Sequence, residues 1–118
     1  MQLDLLQGTL DMLILKALSW GPNHGFGVAR WIEERTKDAL TVEEGSLYPA
    51  LHRMTRRGWL TAQWGVSENN RRARYYRLSG LGRSQLLQET KAWRHFSDVV
   101  GLVMSADPAP GYEGGRRK

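Results

Sequence analysis

The sequence predicts a mainly α protein with one small β-hairpin: three short helices, then the hairpin, then a long final helix. Three observations lead there. Apolar residues recur at helical spacing in three segments before residue 58, the period drops to two just after Gly58, and a widely spaced apolar stripe runs from Leu86 to Val103.

In the first segment Leu10, Leu13, Ile14, Ala17 and Leu18 fall at i, i+3, i+4, i+7 and i+8, with Asp11 and Lys16 off the stripe, which predicts an amphipathic helix from Thr9 to Trp20. The dense turn cluster Gly21-Pro22-Asn23-His24-Gly25 ends it. Val28, Ala29 and Ile32 then mark a second helix ending near Lys37.

Thr41-x-x-Glu44 has the form of a capping box, but Ser46 is also a good N-cap, and a start there leaves Pro49 in the first turn, where its missing N–H costs nothing. The third helix is therefore expected from Ser46, after a short extended piece at 40–43. It buries Leu47, Ala50, Leu51 and Met54, presents Tyr48, Pro49, His52, Arg53 and Arg56 on its other face, and stops before Gly58 at the C′ position.

Leu60, Ala62, Trp64 and Val66 alternate with Thr61, Gln63, Gly65 and Ser67, the pattern of a half-buried strand. The polar tip Glu68-Asn69-Asn70-Arg71-Arg72 separates it from a second β-prone run, Arg74-Tyr75-Tyr76-Arg77-Leu78. Trp20, Trp31, Trp59 and Trp64 are expected as core or edge residues. Ser79 caps a last helix over about 80–104, in which Leu86, Trp93, Phe96, Val100 and Val103 form the stripe. The organisation expected is a helix-and-hairpin unit at 1–78, the long final helix at 79–104 and a disordered tail at 105–118 with two Pro and three Gly.

At 118 residues the chain is too short for a large multidomain enzyme, and its lack of Cys excludes disulfides, a thiolate zinc site and a cysteine nucleophile. No uninterrupted run of 18 apolar residues occurs, and Met1-Gln2-Leu3-Asp4 lacks the basic start of a secretory signal, so a cytoplasmic protein with no membrane association is expected. His24, His52 and His95 are scattered without ligand spacing, and the GxxxxGK[ST] phosphate loop is absent. No catalytic residue, metal or cofactor is expected.

The net charge of +5 has a definite location. Between Gly45 and Ser79 there are seven arginines and one acid, Glu68, while residues 1–40 are nearly balanced. Arg presents a planar fork of donors matched to phosphate oxygens and to the N7/O6 edge of guanine. The surplus covers the third helix and the hairpin, the two parts that a winged helix-turn-helix brings to double-stranded DNA. Candidate DNA contacts are Ser46, Tyr48, Pro49, His52, Arg53 and Arg56 on the helix, and Asn69, Asn70, Arg71, Arg72 and Arg74 on the wing. Arg53 is expected to read a base, Ser46 and the amides beside it suit phosphate, and Tyr48 suits either a phosphate bond or a thymine methyl contact.

Gly45-Ser46-Leu47-Tyr48-Pro49-Ala50-Leu51 resembles the PadR-like family of bacterial transcriptional regulators. So do His24-Gly25-Phe26-Gly27, Arg56-Arg57-Gly58-Trp59-Leu60, Arg74-Tyr75-Tyr76-Arg77-Leu78-Ser79 and Gly82-Arg83, and the whole set spans about residues 5–103. The resemblance implies a homodimeric repressor on a palindromic operator, with the single C-terminal helix of the family's shorter branch as interface. The stripe Leu86, Trp93, Phe96, Val100 and Val103 is the expected dimer contact. By the same resemblance Trp93 and Phe96 are candidates to stack a small aromatic effector, against plain interface packing. A winged-helix protein-interaction module and a non-specific nucleic-acid binder remain the alternatives.

Overall fold

The structure, a computed structural model, describes residues 7–108 and Gly111. Four helices and a three-stranded antiparallel sheet form a winged helix with a C-terminal helix: α1 (Gln7–Leu18), β1 (Asn23–His24), α2 (Gly25–Arg35), α3 (Glu44–Arg56), β2 (Leu60–Val66), β3 (Arg72–Leu78) and α4 (Gly80–Met104). The core is a single cluster in which Ile14, Leu15, Leu18, Val28, Ile32, Leu47, Leu51, Met54 and Leu60 are fully buried. Residues 109–110 and 112–118 of the expected disordered tail lie outside the described residues.

Helix α1 ends two residues before the expected Trp20 because the Ser19 amide and hydroxyl both donate to the Lys16 carbonyl, at 3.0 and 2.6 Å, and tighten the last turn. Trp20 is thereby thrown outward and is 72% exposed, not a core residue. Helix α2 stops at Arg35, short of Lys37, where Lys37 and Asp38 take φ of 50° and 63°. Left-handed residues cannot continue a right-handed helix.

The sheet has a strand that the sequence reading assigned to a turn. Asn23 pairs with Tyr76 and His24 with Tyr75, giving the order β1-β3-β2. The hairpin itself runs as expected, with Leu60 opposite Leu78 and Val66 opposite Arg72. Its turn is closed by Ser67, whose amide donates to the Arg71 carbonyl at 2.7 Å, and by Asn70 at φ 60°, a conformation that Asn tolerates. Only the base of the hairpin reaches the core. Trp64 and Val66 follow the buried phase of Leu60 but project beyond it and are 57% and 65% exposed, so of the two places expected for Trp64 it takes the edge and not the core.

Helix α3 begins at Glu44, two residues earlier than expected, with Glu43 at the N-cap and no side-chain cap bond. Ser46 is therefore inside the first turn, and its amide donates to the Glu43 carbonyl at 3.0 Å, so that N–H is not free for a phosphate. Pro49 moves into the second turn. Its missing N–H would have bonded the Gly45 carbonyl, which stays exposed to water. The helix ends as expected, with Gly58 at φ +81°.

Helix α4 starts at Ser79, whose hydroxyl accepts from the Gly82 amide at 3.0 Å. Gly82 has no room for a side chain, because a Cβ there would collide with the Trp59 carbonyl. The first half of α4 packs along α1, and Leu86 is half-buried against the domain's own core. That corrects its expected place in the dimer contact. From Lys91 to Met104 every residue is exposed, and the molecule extends 66 Å along its long axis against 29 and 21 Å across.

Candidate nucleic-acid interface

Tyr48, Pro49, His52 and Arg56 stand on the exposed face of α3, as the helical spacing predicts. Arg53 does not join them. It turns inward, and its Nη2 donates to Asp11 Oδ1 on α1 at 2.6 Å, with the two side chains only 20% and 10% exposed. A guanidinium held this way has no free fork for guanine, so Arg53 is removed from the base-reading set.

Asn69, Asn70, Arg71, Arg72 and Arg74 are all exposed on the wing. They do not stand alone. The wing curls toward the start of α2 and the N-terminal half of α3, enclosing a groove of about 390 Å³ lined by His24, Phe26, Tyr48, Trp64, Arg72 and Arg74. Toward the hairpin tip it continues into a second hollow of about 480 Å³, where Glu68, Asn69 and Arg71 join the lining. His52 and Arg56 lie farther along α3 and line neither hollow.

His24, Phe26, Trp64 and Glu68 line the groove without having been among the sequence candidates. Strand pairing with Tyr75 and the cap of α2 place His24: its Nδ1 accepts from the Gly27 amide at 3.0 Å, and its ring meets Tyr75 edge-on at 5.3 Å. Phe26, in the first turn of α2, is 65% exposed and stacks near the same imidazole at 6.4 Å. The sequence signal was the His-Gly-Phe-Gly turn, but its direction depends on β1.

Tyr48 lies close over Gly25, where a Cβ would come within 2.7 Å of Cε1 and 2.9 Å of the hydroxyl. Partial burial, then the carboxylate of Glu44 and the nearby Tyr76, push the Tyr48 phenol up from its ordinary value. At neutral pH it is therefore a neutral O–H donor at the groove wall. Arg72 lies over the Trp64 ring at 4.4 Å and Arg74 near the Tyr76 ring at 6.0 Å, so the cations are displayed on aromatic surfaces. Cationic donors on an aromatic floor can hold phosphate oxygens while the rings exclude water beside them.

On α4, Trp93 and Phe96 lie 6.4 Å apart and, with Gly8, Thr9, Met12, Glu89 and Ala92, wall a cleft of about 350 Å³ between α1 and α4. Val100 and Val103 continue the exposed apolar surface along the projecting helix, with Val99, Leu102 and Met104 beside them. No helix among the described residues is long and apolar enough to cross a membrane.

The family model described as the transcriptional regulator PadR-like family matches residues 14–88. An uncharacterised protein of Lysinibacillus sphaericus is 26% identical over 101 residues, 86% of this chain and 93% of its own length. Among solved structures, a PadR family transcriptional regulator from Eggerthella lenta DSM 2243 superposes with TM-score 0.74 at 26% identity, covering 86% of each chain. A PadR family transcription regulator from Clostridium difficile R20291 superposes with TM-score 0.71 at 26% identity, covering 81% of this chain and 98% of its own.

Proposed function

The chain belongs to the PadR-like family of transcriptional regulators, and we propose that it acts in the cytoplasm as a homodimeric repressor of a palindromic operator. The observation that carries this reading is the groove that brings Arg72, Arg74, His24, Phe26 and Tyr48 to one side of the winged unit, beside the exposed face of α3. In this reading α3 enters the major groove with Tyr48, Pro49, His52 and Arg56. The wing residues Asn69, Asn70, Arg71, Arg72 and Arg74 follow the adjacent backbone or minor groove.

The dimer reading rests on α4. Fourteen residues from Lys91 to Met104 stand exposed, yet Trp93, Phe96, Val99, Val100, Leu102, Val103 and Met104 are large and apolar, a surface that water disfavours and a second α4 covers. The cleft beside Trp93 and Phe96 is at the small end of ligand-pocket volumes and suits a planar aromatic effector. Such a ligand relieves repression if it shifts α4 and so the spacing of the two recognition helices, which must match half-sites about one helical turn apart.

Selection of bound fragments from random duplex DNA tests the proposal. A two-fold symmetric consensus is expected, and log K for it should fall with log salt at a slope near −5 if about six phosphates are contacted per dimer. Equal binding to scrambled duplex reduces the protein to a non-specific binder, and a flat salt response with no consensus turns the surface over to a protein partner. Trp93→Asp should give monomers in sedimentation velocity; an intact dimer removes α4 as the interface.

A further inference from the structure

Asp11 is the one buried charged residue among those described, 7% exposed, and it sits on α1, which packs against both α3 and α4. Thr9 and Met12 of α1 wall the cleft that contains Trp93 and Phe96 of α4. Asp11, between them in sequence, goes the other way and takes Arg53 of α3. One short helix thus touches the projecting helix through one face and the recognition helix through another.

The pair is poorly suited to a purely stabilising role. Desolvating two charges costs about as much as their attraction returns, and replacing such pairs by apolar residues of similar volume is often neutral or stabilising. Here the accounting is worse than usual, since Arg53 Nε is buried with no hydrogen-bond partner. Apolar contacts involving Ile14, Leu18, Leu47 and Leu51 already hold α1 and α3 in one core. Such contacts are non-directional, whereas a charge-assisted bond of 2.6 Å favours one rotation and one register.

We infer that Asp11–Arg53 is a positioning pair, which pins the rotation of α3 against α1 and so sets the recognition helix relative to α4. The inference rests on the DNA-binding reading. Arg53 serves sequence discrimination through Asp11, without touching a base.

The test compares the full-length wild-type chain with Asp11→Leu/Arg53→Met, using the duplex that the wild type selects from a random pool and its scrambled counterpart. Loss of one arginine weakens binding to both duplexes, and the ratio of the two affinities cancels that effect. The double variant should remain folded and dimeric with a melting temperature no lower than wild type, while its preference for the selected duplex falls by about tenfold. A second variant, Asp11→Asn, keeps the volume and leaves Arg53 in place, and should lose several-fold in the same ratio even if the double variant fails to fold. Half-site spacings recovered by Asp11→Asn in a fresh selection should spread more widely.

An undiminished ratio in Asp11→Asn overturns the inference while the DNA-binding reading stands. Tighter binding of the selected duplex by Asp11→Asn also overturns it, since that is the result expected if Arg53 reads a base once released. If the wild type selects no consensus, the sequence-specific reading falls and the positioning role falls with it.

Discussion

The guanidinium carbon of Arg72 lies over Trp64, 4.4 Å from the ring centroid. In the strand register Trp64 opposes Arg74, so Arg72 reaches it diagonally across the hairpin. The contact holds a cation at the groove wall that would otherwise sweep through solvent. Trp64→Ala should cost only about 0.5–1 kcal/mol in urea unfolding, because the ring is mostly exposed and little burial is lost. The same change should weaken binding to every duplex tested, and Trp64→Phe should recover part of it. Unaltered DNA titrations for Trp64→Ala would show that Arg72 does not need its platform.

Gly25→Ala is expected to disturb Tyr48 more than the helix. Alanine suits the first turn of α2 by propensity, but its methyl would stand 2.7 Å from the Tyr48 ring. The ring must rotate out, taking its hydroxyl from the groove. Expected results are a stability change within about 1 kcal/mol and a clear loss of DNA affinity. Pairing it with Tyr48→Ala in a double-mutant cycle should make the two losses strongly non-additive, and simple additivity would count against the contact.

His24→Ala removes the acceptor for the Gly27 amide at the start of α2. The loss should be about 1 kcal/mol, read as a fall of several degrees in melting temperature. His24→Asn offers an acceptor at the same cap and should restore most of that stability. If it restores stability but not DNA affinity, the imidazole acts in the groove as well as at the cap.

Tyr48 gives an alkaline prediction. Its phenol pKa is raised by burial first, then by the Glu44 carboxylate and by Tyr76. A group held neutral in the folded state keeps its full contribution below the unfolded value of 10.0 and loses it as pH rises through the folded value. Stability should therefore decline above about pH 10, and Tyr48→Phe should flatten that decline without changing stability near neutrality. Solvent screens a partly exposed ring, so the difference should be modest; identical pH profiles for the two proteins would reject it.

Much of the fold is written locally. The Leu47, Ala50, Leu51 and Met54 spacing marks α3, Gly58 ends it, the period-two run marks β2, and Ser79 caps α4, because each signal lies within a few residues of the structure it produces. Strand β1 is invisible for the opposite reason: two residues become a strand only by pairing with Tyr75 and Tyr76, some fifty positions later. Trp64 keeps the phase of its strand, but how far the core extends beneath it depends on the packing of the hairpin. The start of α3 was displaced by two residues because Glu43 takes the cap without a side-chain bond, leaving Ser46 inside the helix.

From residues alone came the order of the helices and the hairpin, the family motifs and the concentration of arginine between Gly45 and Ser79, all of which depend on spacing and charge along the chain. Tertiary structure decided which of those arginines are available. Arg53 and Arg56 look equivalent on a helical wheel, yet only packing brings Asp11, 42 residues away, against Arg53 and leaves Arg56 in solvent. Tertiary structure also drew His24 and Phe26 into the groove, since long-range pairing, and not local preference, determines where a two-residue strand points.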